Sequence, residues 1–382
     1  MTGGLVPVHP APDRDLVEHL RAIRADEGIP LVCDDRWSAE HAERVRRLCA
    51  TAEPAPGVGW AGLTSGSGGR PRVVLRSAAS WSDSFAAVGE LLGARDGDVL
   101  ALPAPPSASL TLFSLAHALE GGPRPVLNSG HAAGAADFAD ATLFHGTPHH
   151  LRSLLDAGSP PRLRAALVGG SGLDSALRRR AEALGIRVTA YYGATELSFV
   201  AVDHGDGYVA FPGVEIDVRD GVVWVRSRFV ADGYLDDGRG ADTAGPFRSA
   251  DGWHTVGDLA AHSGGALRLL GRADGAVLTA SATVIPEDVE AVLRTVDGVG
   301  DAVVLGMPHA GIGALLAAVI EPAASGTPAT SAALRAAAGR LLAPSHRPRR
   351  WFGARLPRTP SGKPARSELA RMLSAREVEI LA

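Results

Sequence analysis

From residue 60 onward, short apolar runs alternate with helical stretches, and this alternation constrains the fold more than any other feature of the sequence. Residues 99–103 and 165–169 are apolar runs that end at Pro or Gly, which is typical of buried strands. Residues 175–184 have a helical pattern and follow Asp174, a favoured N-cap residue. Strands that alternate with helices form a mostly parallel sheet covered by helices. The sequence therefore predicts an α/β protein with parallel sheets flanked by helices.

The pattern changes twice further along the chain. Around residues 214–230 the apolar residues alternate with polar ones, which predicts an antiparallel or small β-barrel-like subdomain. Beyond residue 275, a helix at 286–294, a strand at 301–305 and a helix at 331–342 indicate a compact α+β unit. Because 382 residues exceed the usual size of one core, we expect two domains. The predicted bounds are 1–272 for a large N-terminal domain, with 1–56 as a small N-terminal layer, and 275–382 for a mobile C-terminal domain.

The composition excludes several classes of function. A net charge of −4 without long blocks of like charge argues against a nucleic-acid partner. No apolar run approaches the ~18 residues of a membrane span. Cys33 and Cys49 lack a metal-binding spacing, and no signal-peptide pattern precedes them. The composition favours a cytoplasmic protein that acts on small molecules, and it leaves the oligomeric state open.

A glycine-rich segment at residues 63–72 is a candidate phosphate site. It reads Leu-Thr-Ser-Gly-Ser-Gly-Gly-Arg-Pro-Arg, and such a mixture lets N–H and O–H groups converge on phosphate oxygens. The segment is neither a P-loop, because no Gly-Lys-Ser/Thr ending is present, nor a dinucleotide fingerprint, because no helix-opening GxGxxG follows a strand. A flexible connector of the same composition is the alternative.

A second candidate segment, Tyr-Tyr-Gly-Ala-Thr-Glu at residues 191–196, follows an apolar strand at 187–190. Ligands bind at the carboxyl ends of strands in open α/β sheets. Tyr192 could stack on a base, Thr195 could bond a phosphate and Glu196 could hold Mg²⁺ through oxygen. A strand-end turn with a packed tyrosine is the structural alternative.

Lys363 is the only lysine among 38 Lys and Arg residues. It follows Pro-Ser-Gly near the C-terminus. Lysine is a compact point charge on a thin stem, whereas arginine presents a broad planar fork. Where arginine serves as the general cation, the one lysine that remains is a candidate for a narrow site between two anions.

In their order, these segments resemble the adenylate-forming superfamily of acyl-CoA and aryl-CoA synthetases, luciferases and peptide-synthetase adenylation domains. The phosphate loop of that family reads Thr-Ser-Gly-Thr/Ser-Thr/Gly-Gly-x-Pro-Lys, and its second motif reads Tyr-Gly-x-Thr-Glu. Further matches are Gly-Gly-Ser-Gly-Leu at 169–173, His-Thr-Val-Gly-Asp-Leu at 254–259, Gly-Arg-Ala-Asp at 271–274 and Pro-Ser-Gly-Lys at 360–363. The short N-terminus and the Thr-Val-Ile-Pro at 283–286 are similar to short actinobacterial o-succinylbenzoate-CoA ligases.

The resemblance implies a role for each motif. Lys363, Thr195 and Glu196 are the implied catalytic residues, and Glu196 is the implied magnesium ligand. The implied nucleotide contacts are Thr64, Ser65, Gly66, Ser67, Gly68, Gly69 and Arg72 for the phosphates, Gly170, Ser171 and Tyr192 for adenine, and Asp258 and Arg272 for the ribose. Asp274 is the implied hinge between the two domains.

The same resemblance implies an ATP- and Mg²⁺-dependent enzyme. It joins a small aryl or acyl carboxylic acid to AMP and then transfers the acyl group to CoA. Two alternatives stay open. One is an adenylate-forming enzyme that uses a different nucleophile, such as an amine, a carrier-protein thiol or an inorganic nitrogen species in secondary metabolism. The other is a catalytically silent nucleotide-binding protein.

Several residues depart from the family pattern. Arg72 replaces the lysine of the phosphate loop, and residues 105–109 lack the histidine of many relatives. Ser281 replaces a glycine beside the path of the pantetheine arm, and Leu278 replaces a lysine three positions earlier. These last two changes bear on the second half-reaction more than on the first.

Histidines cluster where relatives begin a helix that lines the acyl pocket. His145, His149 and His150 could contact a polar or anionic acyl group, and Gly193 lies in the neighbouring motif. Ordinary surface or capping histidines are the alternative, since nothing nearby has a metal-binding spacing.

Overall fold

The computed structural model describes most of the chain. The described residues are 4–10, 15–33, 39–51, 54–64, 72–128, 135–235, 248–263, 265–272, 277–278, 283–284, 286–309, 313–342, 346–359 and 362–381. Within these ranges, no helix combines the length and the apolar character needed to cross a membrane.

Strands and helices alternate from residue 60 to about residue 200, as the apolar pattern predicts. The strands are β1 (Leu5–Val8), β2 (Ile29–Val32), β3 (Val58–Thr64), β4 (Arg72–Ser77), β5 (Val99–Leu102), β6 (Arg124–Leu127), β7 (Leu143–Gly146), β8 (Ala165–Val168), β9 (Arg187–Ala194), β10 (Ser198–Asp203), β11 (Val209–Ala210), β12 (Glu215–Arg219), β13 (Val222–Arg226), β14 (Gly233–Tyr234), β15 (Arg248–Ala250), β16 (Trp253–Thr255), β17 (Asp258–Ser263), β18 (Ala266–Arg272), β19 (Val277–Leu278), β20 (Thr283–Val284), β21 (Val299–His309), β22 (Gly313–Pro322), β23 (Arg350–Gly353) and β24 (Glu379–Ile380). The α-helices are α1 (Leu16–Ala25), α2 (Ala39–Thr51), α3 (Ala79–Ser82), α4 (Phe85–Leu92), α5 (Ser109–Leu119), α6 (Pro148–Asp156), α7 (Ser175–Ala183), α8 (Pro286–Leu293), α9 (Ser331–Leu341) and α10 (Arg366–Ser374), and Ala135–Phe138 form a 3-10 helix.

The chain divides into two compact units. The first comprises Met1–Asp217, Trp224–Val256 and Pro360–Lys363, and the second comprises Val218–Val223, Gly257–Thr359 and Pro364–Ala382. The predicted hinge residue Asp274 lies outside the described residues, so the domain boundary at 272–275 stays a prediction.

The first unit contains a seven-stranded sheet in the order β11-β10-β9-β8-β7-β5-β6. Strands β6, β5, β7, β8 and β9 are parallel, and β10 and β11 extend the edge in antiparallel pairing. Phe144 and Val168 on the sheet pack with Leu151 of α6 and Leu177 of α7 in a buried apolar cluster. The predicted α/β class with a mostly parallel sheet is confirmed.

The start of α7 follows the expected chemistry. Asp174 is the N-cap, and its carboxylate accepts a hydrogen bond of 2.7 Å from the backbone N–H of Leu177. Strand β9 differs from expectation, because it runs on through Tyr191 and Tyr192 to Ala194 and does not stop at Ala190. Its extra residues pair with β10, a partner strand that the apolar pattern at 187–190 does not indicate.

A second sheet of the first unit has the order β1-β2-β3-β4-β14. Its strands β1, β2 and β3 are parallel, whereas β4 is antiparallel to both β3 and β14. The expected N-terminal layer thus supplies two strands to a sheet that the rest of the unit completes.

Around 214–230, β13 pairs antiparallel with β16 at Val225 and with β17 at Val222, which confirms the predicted antiparallel pairing.

The second unit contains a four-stranded sheet in the order β21-β22-β23-β24. Its apolar core joins Val289 and Leu293 of α8, Leu334 of α9 and Trp351 of β23 to the sheet. The predicted helices at 286–294 and 331–342 are α8 and α9, and the predicted strand at 301–305 lies within β21. The C-terminal part of the chain is therefore α+β, as the sequence predicts.

Candidate active site

The Thr195–Leu197 turn joins β9 to β10 and carries two of the predicted catalytic residues. The turn is tight, because Leu197 donates its backbone N–H to the carbonyl of Ala194 at 3.2 Å and Ser198 adopts a left-handed φ of 59°. A Cβ atom at Gly193 would lie 2.2 Å from the carbonyl oxygen of Ser198. Only glycine therefore fits position 193, and its predicted contribution to an acyl pocket stays a prediction.

Glu196 is held on both its backbone and its side chain. Its carbonyl oxygen accepts a hydrogen bond of 2.7 Å from the backbone of Ala231, and its Oε1 accepts one of 2.7 Å from the hydroxyl of Tyr234. Burial raises the pKa of Tyr234 well above its ordinary value, so the hydroxyl keeps its proton as a donor. The carboxylate is 9% exposed and is fixed in one direction.

Arg72 lies beside the same tyrosine. Its guanidinium carbon is 5.0 Å from the centre of the Tyr234 ring. Its Nη1 is buried and has no hydrogen-bond partner among the residues that the structure describes. Buried donors rarely remain unpaired in proteins, and a cationic donor suits an anionic oxygen. The position of Arg72 thus fits its predicted role as a phosphate ligand.

The phosphate loop itself lies mostly outside the described residues. Thr64 ends β3 and pairs directly with Arg72 on β4, so the two ends of the loop are antiparallel neighbours. The predicted phosphate ligands Ser65, Gly66, Ser67, Gly68 and Gly69 belong to the part of the loop that the structure does not describe.

The segment Pro360–Lys363 belongs to the first unit and brings Lys363 to Gly170. A Cβ atom built on Gly170 would lie 3.1 Å from Cε of Lys363 and 3.4 Å from Cγ2 of Thr147. Gly170 also has a φ of 85°, a conformation that favours glycine. Two predicted site residues that are 193 positions apart in the sequence are therefore neighbours.

The other predicted nucleotide contacts occupy separate elements. Asp258 on β17 pairs directly with Arg272 on β18, so the two predicted ribose ligands are opposite each other in the second unit. Tyr192 on β9 is 8% exposed, and Ser171 follows Gly170 as an exposed residue. None of these positions conflicts with its predicted role, and the roles stay predictions.

His145 does not present a free ring nitrogen to a substrate. The residue is fully buried, with Nδ1 2.8 Å from Oγ of Ser114 and Nε2 3.0 Å from the hydroxyl of Tyr191. Burial is the main cause that lowers the pKa of His145 to about 3, and the nearby His117 is the second cause. The neutral ring with both nitrogens engaged does not favour direct binding of an anionic acyl group, and the predicted place of His145 in the acyl pocket stays a prediction.

The two following histidines lie at the start of α6. Thr147 is the N-cap, and Nδ1 of His150 lies 3.0 Å from its Oγ1 in a reciprocal capping arrangement. The alternative of a capping histidine is thus correct for His150. His149 is half-buried, its ring centre 5.7 Å from that of His150, and its predicted contact with substrate stays a prediction.

Magnesium is the metal that the resemblance implies, and the residues present fit it. Among the residues that the structure describes, no group of three or more His, Cys, Asp or Glu side chains could hold a metal ion. Magnesium does not require such a cage, because it is often bound by one or two carboxylates together with phosphate oxygens and water. The oriented carboxylate of Glu196 is a ligand of that kind.

Two functional contacts were missed from the sequence. Tyr234, which orients Glu196, and Arg76, which donates to the carbonyl of Thr195 at 2.7 Å, lie outside all the motifs. The sequence does contain a signal for Arg76, because this charged residue directly follows the apolar run Val-Val-Leu at 73–75.

The buried histidines predict a fall in stability in mild acid. Burial lowers the pKa of His117 to about 4 and that of His145 to about 3, whereas the unfolded chain titrates near about 6.5. The unfolded state therefore binds more protons below about pH 6.5, and stability is lost as the pH falls from there toward the folded pKa values. Each histidine contributes up to about 1.4 kcal/mol per pH unit. We expect denaturant midpoints to fall steadily from pH 7 to pH 4.

The matched variants separate this effect from general acid sensitivity. His145→Gln removes one titrating group, so the slope of unfolding free energy against pH decreases by up to one proton. His262→Gln, at an exposed position on β17, is the matched control variant. Equal slopes for the wild type and His145→Gln would contradict the assignment.

Comparison with known proteins identifies the family of this chain. Residues 61–235 match the AMP-binding enzyme family and residues 288–363 match the AMP-binding enzyme C-terminal domain. A probable 2-succinylbenzoate–CoA ligase of Mycobacterium tuberculosis is 31% identical over 325 residues, which cover 81% of this chain and 82% of that protein.

Two solved structures share the fold. The o-succinylbenzoate coenzyme A synthetase of Bacillus subtilis, in complex with ATP and magnesium ion, has a TM-score of 0.82 at 19% identity and covers 97% of this chain and 90% of its own. An amide bond synthetase of Marinactinospora thermotolerans has a TM-score of 0.82 at 21% identity, with the same coverages of 97% and 90%. The family matches and the Mycobacterium tuberculosis relative show that the chain belongs to the AMP-binding enzyme family, as an acyl- and aryl-CoA synthetase-like member of the adenylate-forming superfamily.

Proposed function

We propose that this protein is an AMP-forming acid–CoA ligase of the cytoplasm that acts on a small aryl or acyl carboxylic acid. The observation that carries the proposal is the position of Lys363, which lies against Gly170 in the same compact unit as Thr195 and Glu196. The similarity to a probable 2-succinylbenzoate–CoA ligase supports an aromatic or acyl acid as substrate and CoA as acceptor.

In the first half-reaction, a carboxylate oxygen of the acid attacks the α-phosphorus of ATP. A new phosphorus–oxygen bond forms, and the bond to pyrophosphate breaks. Both reactants are anions, so the protein lowers the barrier by neutralising charge and by holding the two groups in line. Lys363 supplies a compact positive charge between the carboxylate and the α-phosphate, which the broad fork of an arginine would not match.

The remaining residues hold the nucleotide. Glu196 binds Mg²⁺, which neutralises phosphate charge when it is bound. Arg72, Thr195 and the loop from Thr64 to Gly69 contact the phosphates. Contacts to the nucleoside come from Tyr192, Gly170 and Ser171 on adenine, and from Asp258 and Arg272 on the ribose.

In the second half-reaction, the thiol of CoA attacks the acyl carbon of the adenylate, a thioester forms and AMP leaves. We propose that the C-terminal domain rotates about Asp274 between the two half-reactions and that this rotation withdraws Lys363. Glycines 271 and 275 beside this residue suit such a hinge.

A second acceptor class is supported by two specific observations. The solved amide bond synthetase is as similar in fold as the CoA synthetase, and an amide bond forms when an activated acid reacts with an amine. Ser281 and Leu278 replace the family residues near the pantetheine path. An adenylate-forming enzyme that acylates an amine is therefore the competing proposal.

Pyrophosphate release separates the two proposals. The purified chain is incubated with ATP, Mg²⁺ and a panel of small aryl and acyl acids, first alone, then with CoA, then with simple amines. We expect each enzyme molecule to release pyrophosphate more than once only when CoA is present. Mass spectrometry should then detect a thioester product. Turnover that responds to an amine and not to CoA would replace the ligase with an amide-forming enzyme.

A further inference from the structure

Arg76 places a positive charge in the interior of the first unit. It lies on β4, is 1% exposed, and its guanidinium carbon is 4.8 Å from the centre of the Trp81 ring. Removal of a cation from water costs several kcal/mol, and apolar residues of similar volume often replace buried ion pairs without loss of stability. Packing of the core alone therefore does not explain why position 76 carries a charged residue.

The guanidinium joins its own segment to two others that are distant in sequence. Nη2 donates to the carbonyl of Thr195 at 2.7 Å, and Nη1 donates to the carbonyl of Phe229 at 3.2 Å and to Oγ of Ser80 at 3.1 Å. The two carbonyls lie 119 and 153 residues from Arg76 along the chain. A planar fork can satisfy such diverging acceptors at once, which a lysine cannot do.

The same segments meet a second time around Glu196. Ala231 donates to the carbonyl of Glu196, and Tyr234 donates to its carboxylate, each at 2.7 Å. Arg76 therefore ties the turn of Thr195 and Glu196 to the segment that orients the Glu196 side chain. The strand β4 that carries Arg76 begins at Arg72, directly after the phosphate loop.

We propose that Arg76 is a positioning residue that fixes the Thr195–Glu196 turn for binding of the magnesium–ATP substrate. The inference rests on the proposed function, in which Glu196 binds Mg²⁺. Burial lowers the pKa of Arg76, whereas the nearby carboxylates of Asp232 and Glu196 act to raise it. The buried cation and the carboxylate of Glu196 thus attract each other, which adds a second means of holding the turn.

The test is the magnesium dependence of two quantities: ATP binding, measured by calorimetry without the acid, and adenylate formation, measured as acid-dependent exchange of pyrophosphate into ATP. Arg76→Lys keeps the charge but loses the fork, so we expect the Mg²⁺ concentration for half-maximal rate to rise at least about tenfold. We expect the KM for the acid to stay within about twofold, because the proposed role of Arg76 concerns the magnesium ligand Glu196. Ser80→Ala removes one partner of Arg76 and leaves both carbonyl contacts, so its Mg²⁺ dependence matches the wild type.

A double-mutant cycle with Glu196→Gln separates positioning from general destabilisation. If Arg76 acts through Glu196, the shift in Mg²⁺ dependence caused by Arg76→Lys is absent in the Glu196→Gln background. Additive shifts, or an unchanged Mg²⁺ dependence in Arg76→Lys despite a lower melting temperature, would overturn the inference. If Glu196→Gln alone leaves the Mg²⁺ dependence unchanged, the proposed magnesium ligand is wrong, which is a different failure.

Discussion

Replacement of Lys363 by alanine is expected to reduce the rate of adenylate formation by about 100- to 1,000-fold, the usual cost of losing one group that stabilises transition-state charge. The reaction brings a carboxylate to a phosphate, and Lys363 is the proposed cation between them. Exchange of pyrophosphate into ATP measures this half-reaction alone. Because the chain has no other lysine, no neighbouring lysine ammonium group can substitute.

Two further variants test whether geometry, and not charge alone, is lost. Lys363→Arg keeps the charge but replaces the compact ammonium with a broad planar fork, so we expect most of the loss to remain. Arg371→Ala removes one charge from an exposed position on α10 and is expected to retain full activity.

The second half-reaction provides an internal control. The proposed role of Lys363 is confined to adenylation, so the Lys363→Ala enzyme should convert a supplied acyl-adenylate and CoA into thioester at nearly the rate of the wild type. A Lys363→Ala enzyme that adenylates as fast as the wild type would contradict the mechanism, and one that fails in both half-reactions would indicate a structural role for the lysine.

The parts of the site that the sequence predicts are those in which one local segment supplies both geometry and chemistry. Asp174 caps α7, and the buried strands at 99–103 and 165–169 follow from apolar runs that end at Pro or Gly. The Thr195–Glu196 motif lies in a turn because Gly193 permits the close approach of β10. Each of these features depends on residues within a few positions of one another.

The parts that the sequence does not predict depend on contacts between distant segments. Tyr234 reaches Glu196 across 38 positions, and Arg76 reaches Thr195 across 119. No apolar period or motif encodes these separations. The contacts of His145 escape the sequence for the same reason, because Ser114 and Tyr191 belong to other elements.

The second unit contains a buried ion network that also escapes motif analysis. Glu290 on α8 is 2% exposed and accepts hydrogen bonds from Arg366 at 2.6 Å, from Arg294 at 3.2 Å and from the backbone N–H of Val304 at 2.8 Å. Arg294 in turn pairs with Asp301 at 2.7 Å. The network joins α8, β21 and α10, so a single carboxylate ties three elements together.

Replacement of Glu290 by alanine is expected to destabilise the second unit by about 3–5 kcal/mol, because two partly buried guanidinium groups lose their shared carboxylate. Hydrogen exchange in the full-length chain measures this effect locally, and the amide of Val304 should exchange at least about 100-fold faster at that cost. Glu368→Ala removes an exposed carboxylate that pairs with Arg371 on α10, and surface pairs contribute only about 0–1 kcal/mol. Equal protection of the β21 amides in the two variants would show that the buried network does not stabilise the second unit. A loss of protection in Glu290→Ala alone would show that charges as well as the apolar core stabilise this unit.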